Sequence, residues 1–308
     1  MSYVNWCKQS EQALASEDIA AVNLALAAEL PGVKFDSEEL LARLDCWTNA
    51  VRQTTGKALI RRSETGKYRD MSAAMFRMFT LIEVLRHKFG VTYNLAFSQG
   101  EYDARDSRNL FLHGLLTGHG GTCVTMPVLY AAIGRRLGYP IKLVYAKQHV
   151  FCRWDSPQER FNIESTSPGF NPRPDSYYRT WPFPLSGEDV ASGIYLTSLT
   201  ARRERALFLC NRGHYCIDQF CNHEAIEAYW FAHQLDPAKG YDLHLNFSYV
   251  MRRFVDEFRK QCQGVANRTL RMPPPRDARE AELYPACDRN LRRIFANIEK
   301  EKRCTTPR

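Results

Sequence analysis

Residues 118–164 read GHGGTCVTMPVLYAAIGRRLGYPIKLVYAKQHVFCRWDSPQERFNIE. The glycine-rich turn at 118–122 precedes Cys123, and an apolar segment of helical period runs from there to residue 137. Gly138 and Pro140 are typical signals for the end of a helix. The pattern predicts a buried helix over residues 123–137 whose first turn carries Cys123.

Three strand-like runs follow that helix. Residues 141–146 alternate in polarity, residues 149–155 and 160–164 continue the pattern, and residues 156–159 (SPQE) form a plausible hairpin turn. A helix followed by a small antiparallel sheet predicts an α+β fold.

The stretch places three reactive side chains at element boundaries. Cys123 starts the helix, His149 starts the second strand and Glu164 ends the third. Neighbouring strands lie about 5 Å apart, so an imidazole and a carboxylate on one face can meet. A thiol, an imidazole and a carboxylate can act as nucleophile, base and orienting group. We predict a catalytic triad in which the helix N-terminus and an imidazolium lower the pKa of the thiol.

Four neighbouring residues are candidates for stabilising an oxyanion or holding substrate. The backbone amides of Gly121 and Thr122 precede the sulfur, and glycine allows close approach. His119 and Gln148 are near Cys123 and His149 in sequence and are the side-chain candidates.

Helices are also predicted on the N-terminal side of this stretch. Residues 9–30, 37–54 and 70–89 carry apolar residues at three- and four-residue spacing. Residues 167–187 contain many aromatic, proline and glycine residues without a period, and we expect a long ordered loop that forms one wall of a cleft.

A different pattern occupies residues 206–237. Small and aromatic residues fall at the spacing of a tetratricopeptide repeat, namely Gly213, Ala225, Tyr229, Ala232 and Pro237. A single repeat cannot bury its apolar face alone, so we expect residues 241–258 to form a helix beside it. The helices of 206–258 are a candidate docking surface for a protein partner.

These elements divide the chain into four parts. We expect N-terminal helices packed on the core at 1–90, the catalytic core at 91–200, tetratricopeptide-like helices at 201–265, and a proline-containing linker with a basic helix near 288–300 within 266–308.

Composition restricts the class of protein. The chain has 308 residues, 44% of them hydrophobic, with no stretch long and apolar enough to cross a bilayer. The N-terminus lacks the pattern of an export signal, so we expect a cytoplasmic protein. Of the net charge of +8, residues 251–308 hold 15 Lys and Arg against 8 Asp and Glu. No nucleic-acid-binding motif accompanies this basic region, and a solvated helical face is favoured over nucleic-acid binding.

A cluster of cysteines and histidines lies in the repeat-like segment. It contains Cys210, His214, Cys216, Cys221 and His223. Their spacing is not a standard zinc pattern, and the helical pattern already explains their positions. We therefore predict no metal and no cofactor.

The motifs together resemble the core of the transglutaminase-like superfamily. The matching segments are Gly121–Cys123, Arg135–Pro140, His149–Trp154 and Phe161–Thr166. The resemblance implies a papain-like core with Cys-His-Asp/Glu chemistry, and the acid here is Glu164 where the superfamily usually has Asp. Residues 102–109 are similar to its bacterial SirB-like branch, which often carries tetratricopeptide helices.

Two functions are open. The first is cysteine-dependent hydrolysis or transfer of an acyl group from an amide of a protein or peptide, as in a protease, amidase, deamidase or transglutaminase. Hydrolysis is favoured, because nothing indicates a dedicated amine site. The alternative is a non-catalytic protein- or peptide-binding module on the same scaffold.

Overall fold

The computed structural model describes residues 3–65, 68, 70–98, 103–262, 274–278 and 280–289. Its named helices are α1 (Tyr3–Lys8), α2 (Glu11–Ser16), α3 (Ile19–Ala28), α4 (Ser37–Thr65), α5 (Ala73–Phe89), α6 (Leu95–Ser98), α7 (Leu112–Leu116), α8 (Thr125–Arg136), α9 (Asp175–Tyr178), α10 (Gly187–Ala191), α11 (Ala201–Asp218), α12 (Asn222–Leu235) and α13 (Tyr241–Cys262). Its strands are β1 (Ile141–Ala146), β2 (His149–Asp155), β3 (Arg160–Ile163) and β4 (Pro172–Arg173).

The N-terminal region differs from the expectation at one point. The single helix predicted over 9–30 is two helices, because Glu17 is extended and Asp18 starts a new helix. The Asp18 carboxylate accepts hydrogen bonds from the amides of Ala20 and Ala21, at 2.8 and 2.9 Å. A side-chain acceptor of this kind satisfies amides that an uninterrupted helix would have bonded internally.

Thr122 holds the segment that leads into helix α8. The Thr122 hydroxyl accepts from the amides of Val124 and Thr125, and the Thr122 carbonyl accepts from Met126. Helix α8 itself begins at Thr125, so Cys123 lies in the turn two residues before it, and the helix predicted over residues 123–137 starts later than expected. The helix ends before Gly138, which has a φ of 77°.

The sheet is antiparallel, in the order β1-β2-β3-β4. Cys152 lies opposite both Leu143 and Ile163, which fixes the register of the first three strands. The turn at 156–159 closes as expected, since the amide of Ser156 donates to the carbonyl of Glu159 at 3.1 Å. The α+β arrangement is confirmed.

The two faces of the sheet pack differently. On one face, Cys152 donates from its thiol to the Pro127 carbonyl of α8 at 3.0 Å, and the strand contributes to the main core. On the other face, Phe151 stacks on Tyr178 with ring centroids 3.8 Å apart. The segment after β4 therefore covers the face that also carries His149.

Helices α11 and α12 form a hairpin. A Cβ on Gly213 would lie 2.5 Å from the Tyr229 ring, so this close approach requires glycine. Helix α13 packs on α12, and one hydrophobic core extends from Tyr3 to Cys287. The helices agree with the expected pattern, while their assignment as a tetratricopeptide repeat and the four-part division stay predictions.

Several expectations fall wholly or partly outside the described residues. Residue 102 of the SirB-like segment, most of the proline-containing linker and residues 290–308 of the basic tail are among them. Among the described helices, none combines the length and apolar character that a membrane crossing requires.

Candidate active site

His149 and Glu164 form a buried pair at the edge of the sheet. The imidazole Nε2 lies 2.9 Å from Glu164 Oε2, and the exposed fractions of the side chains are 4% and 0%. Cys152 pairs with Ile163, and continuing this register by one residue places Phe151 opposite Glu164. His149 is two residues before Phe151 on β2 and therefore lies on the same face of the sheet as Glu164. The strand geometry therefore brings together two of the three residues predicted from the sequence.

Further donors hold the Glu164 carboxylate. The Tyr178 hydroxyl donates to Oε2 at 3.1 Å, while the amide and hydroxyl of Thr166 donate to Oε1 at 2.8 and 2.5 Å. Burial by itself would raise the pKa of Glu164, but the hydrogen bonds and charge of His149 and the bonds from Thr166 hold that pKa below its usual range. Glu164 is thus a fixed carboxylate that can stabilise an imidazolium.

Cys123 faces the same cavity as His149. The cavity has a volume of about 790 Å³. Burial raises the pKa of Cys123 to about 12, and the negative charge of Glu164 raises it further. The hydrogen bond from the Cys123 amide to the sulfur acts in the opposite direction and is the smallest of the three causes. This direction is opposite to the lowered thiol pKa expected from the sequence, because burial and the nearby Glu164 carboxylate are the larger causes.

The wall of the cavity is largely aromatic and apolar. Side chains around the sulfur and the imidazole include Tyr93, Met126, Tyr130, Gln148, Trp181 and Phe183. The expected cleft wall is confirmed, because residues 167–169 and 181–183 of the predicted loop line the cavity. The loop also contains β4 and α9, which the sequence did not indicate, and α10 begins at its last residue, Gly187.

The amides of the two backbone oxyanion candidates already donate hydrogen bonds within the protein. The Gly121 amide donates to the Thr92 carbonyl at 2.8 Å, and the Thr122 amide donates to Thr125 Oγ1 at 2.8 Å. A Cβ on Gly121 would meet Met126 at 2.3 Å, so glycine is needed here for packing. Both amides thus already donate within the protein, and the role of Gly121 and Thr122 towards an oxyanion or substrate stays a prediction.

The two side-chain candidates, His119 and Gln148, lie in different places relative to the cavity. His119 Nε2 lies 3.0 Å from Asn109 Oδ1 and 3.3 Å from Asn94 Nδ2, and His119 is not among the residues that line the cavity. His119 is therefore held in a polar network beside the cavity, and its role as an oxyanion or substrate residue stays a prediction. Gln148 does line the cavity, in the left-handed region at the β1–β2 turn with a φ of 57°.

Three aromatic residues belong to the site but were not predicted as functional. Tyr178 bonds Glu164, and the Trp181 ring meets the His149 ring edge-on at a centroid distance of 4.8 Å. Tyr93 pairs in a β-bridge with Gly121, and burial, followed by the nearby Cys123 and Glu164 groups, raises its pKa. Trp181 and Tyr178 come from an aperiodic segment, where sequence periodicity carries no signal.

A buried arginine fixes the segment that carries Tyr178. Arg153 is fully buried in β2 and donates to Asn162 Oδ1 and Asp175 Oδ1, each at 2.7 Å. Asn162 also donates to Asp175 at 2.7 Å. This network ties the start of α9 to the sheet and so positions the Tyr178 hydroxyl.

Potential metal ligands lie apart from this cavity. Cys210, His214 and His244 bring one donor atom each within 4.8 Å of the others. The remaining members of the cluster predicted from sequence, Cys216, Cys221 and His223, are not in this group.

Comparison with known proteins gives a family assignment for part of the chain. A family model described as the transglutaminase-like superfamily (Transglut_core2) matches residues 38–170, and searches of curated proteins and solved structures found no match. The matched range starts in α4 and includes Cys123, His149 and Glu164. Residues 38–170 are therefore a transglutaminase-like superfamily domain.

Proposed function

We propose that this protein is a cysteine-dependent enzyme that breaks an amide bond through Cys123, His149 and Glu164. The observation that carries the proposal is the buried His149–Glu164 hydrogen bond of 2.9 Å beside a cavity that Cys123 also lines. A buried imidazole that is oriented by an ionised carboxylate is suited to accept a proton from a nucleophile.

The first half of the reaction forms a thioester. The Cys123 sulfur attacks the amide carbonyl carbon while the thiol proton passes to His149 Nδ1, the ring nitrogen that Glu164 does not engage. The new C–S bond leaves a negative charge on the carbonyl oxygen. The imidazolium, stabilised by Glu164, then returns its proton to the nitrogen as the C–N bond breaks and the amine leaves.

The second half transfers the acyl group. Water or an amine loses a proton to His149 as it attacks the thioester, and the Cys123 sulfur leaves and recovers that proton. We favour water as the acceptor, because among the described cavity residues nothing forms a dedicated amine site. The aromatic wall and the cavity volume of about 790 Å³ support a protein or peptide side chain as substrate.

Oxyanion stabilisation has a specific candidate. The Cys123 amide lies two residues before α8, and no acceptor other than its own sulfur takes it among the described residues. Helix N-termini favour negative charge. We propose that this amide binds the oxyanion, with the amide side chain of Gln148 as the second donor on the cavity wall.

The resting thiol is neutral in this mechanism. With a pKa of about 12 for Cys123, proton transfer accompanies attack on the substrate instead of preceding it. Binding of substrate displaces water and brings the carbonyl, the sulfur and the imidazole together, and a catalytic hydrogen bond often tightens only in that complex.

A trapping experiment tests the proposal. The protein is incubated with a library of glutamine- and amide-containing peptides, and intact mass spectrometry detects an acyl adduct that maps to Cys123. We expect the adduct to be lost in Cys123→Ser and strongly reduced in His149→Ala, and to persist in the matched control Cys46→Ser, whose side chain is exposed. Adducts that ignore His149→Ala, or product formation by Cys123→Ser, contradict the mechanism.

A second candidate function is a binding module on this scaffold. The observation in its favour is the raised Cys123 pKa, together with the lack of a hydrogen bond between the Cys123 thiol and His149 in the described part of the chain. In this case α11–α13, which we propose to be a tetratricopeptide-like unit of a SirB-like protein, hold a protein partner. Binding of a partner isolated by affinity capture would then be equal for wild type and Cys123→Ser, with no adduct formed by wild type.

A further inference from the structure

A second group of reactive side chains lies between the C-terminal helices. Cys210 and His214 are four residues apart on α11, so they share one face of that helix, and His244 approaches from α13. The Cys210 sulfur lies 3.4 Å from His214 Nε2, and the His214 and His244 ring centroids are 5.1 Å apart. One donor atom from each residue lies within 4.8 Å of the others.

A neighbouring tyrosine orients one of these ligands. The Tyr229 hydroxyl on α12 lies 2.9 Å from His214 Nδ1. This contact uses the nitrogen that points away from Cys210 and leaves Nε2 directed at the cluster. Histidines that bind metals commonly make such a hydrogen bond through the other nitrogen, which fixes the tautomer and the ring orientation. The Tyr229 ring also stacks on the His244 ring, with centroids 5.3 Å apart.

We propose that Cys210, His214 and His244 bind a zinc ion. Thiolate sulfur and imidazole nitrogen are the donors that zinc prefers, at bond lengths of about 2.0–2.3 Å. Tetrahedral ligands at those lengths are about 3.3–3.8 Å from one another. The Cys210–His214 separation of 3.4 Å already fits this geometry, and closing a separation of up to 4.8 Å requires a side-chain movement of about 1 Å.

The site would tie three helices together. Its ligands come from α11 and α13, and its orienting hydroxyl comes from α12. On binding, the Cys210 thiol releases its proton to solvent and the sulfur bonds the metal, while water completes the coordination. None of the three ligands lines the Cys123 cavity, so the role we assign to this zinc is to fix the C-terminal helices.

The sequence favoured a helical hairpin over a metal at this position, and both are compatible in the structure. Cys210 and His214 lie on the hairpin, while the third ligand comes from the next helix, 30 residues further on from His214. The members that made the sequence spacing irregular, Cys216 and Cys221, are outside the group.

Cobalt substitution tests the site on the full-length protein. After dialysis against a chelator, Co²⁺ is added and absorption is recorded. We expect a thiolate-to-cobalt charge-transfer band and visible bands of tetrahedral cobalt, at about one ion per chain, which Zn²⁺ then removes. The charge-transfer band should be absent in Cys210→Ser and retained in Cys216→Ser, a matched change at a buried cysteine on the same helix.

Two further variants separate metal binding from other effects. Tyr229→Phe keeps the ring and removes the hydroxyl, and we expect about a 10–100-fold loss of zinc affinity with the helical circular dichroism unchanged. Cys123→Ser should bind cobalt like wild type, which distinguishes this site from the proposed active site. The absence of a charge-transfer band in wild type, its persistence in Cys210→Ser, or its loss in Cys123→Ser would overturn the proposal and leave a thiol–imidazole hydrogen bond.

Discussion

The ionisation state of Cys123 gives the sharpest prediction. Burial and the Glu164 charge raise its pKa from 9.0 to about 12, so we expect a neutral thiol in the free protein. A preformed thiolate–imidazolium pair would instead react readily with an alkylating agent at neutral pH. Alkylation of the free protein therefore distinguishes the two resting states.

The magnitude follows from the shift. Raising the pKa of Cys123 from 9.0 to about 12 lowers the thiolate fraction at neutral pH about 1000-fold relative to an unperturbed cysteine. A more basic thiolate is a better nucleophile, with a Brønsted coefficient of about 0.4–0.5, which restores about 20-fold. We therefore expect Cys123 to alkylate about 50-fold more slowly than an unperturbed thiol at neutral pH.

The assay is time-resolved labelling with iodoacetamide between pH 6 and 10, read by peptide mass spectrometry, with the exposed Cys46 as internal reference. The pH slope separates ionisation from steric access, because a neutral thiol gives about a tenfold rise per pH unit without a plateau. The His149→Ala change should have little effect on this rate. A plateau below pH 8, or labelling of Cys123 ahead of Cys46 that depends on His149, would refute the neutral thiol.

Three further predictions concern the supporting residues. Glu164→Gln keeps the shape of the side chain but removes the charge that stabilises the imidazolium, so we expect kcat/KM to fall by about 10²–10⁴, and a loss under tenfold would contradict its role. Gly121→Ala should lower the free energy of unfolding by about 1–3 kcal/mol, because the new Cβ meets Met126, whereas the control Gly56→Ala in α4 has open space and should not destabilise. Burial lowers the pKa of His113 to about 4, so the unfolded chain binds its proton first and stability should fall by about 3 kcal/mol as pH drops from about 6.5 to 4. Over that pH range the urea midpoint should depend less on pH in His113→Gln than in wild type. An equal dependence on pH in the two proteins would exclude His113 as the cause.

Local sequence patterns account for much of the fold near the site. The alternation in 149–155 and 160–164 predicts two paired strands, and the observed register places His149 and Glu164 on one face. The glycine-rich turn before Cys123 predicts a helix start, and the structure begins α8 at Thr125, two residues after that cysteine. These features depend on contacts between residues close in sequence, which periodicity and turn composition encode.

Other features depend on contacts that periodicity does not report. Tyr178 and Trp181 reach the His149–Glu164 pair from an aperiodic segment, and the buried Arg153 holds that segment through Asp175. The Gly121 amide donates to the Thr92 carbonyl and the Thr122 amide to Thr125 Oγ1, two partners that the glycine-rich turn alone did not indicate.

The sequence by itself determined the helix-then-sheet order and singled out Cys123, His149 and Glu164 as candidates, because both follow from residue type and short-range spacing. The tertiary structure decided the burial that raises the pKa of Cys123 and the meeting of His244 with Cys210 and His214. A pKa depends on how much solvent and which charges surround a group, and ligand groups assemble from separate helices, so both are set only when distant segments pack.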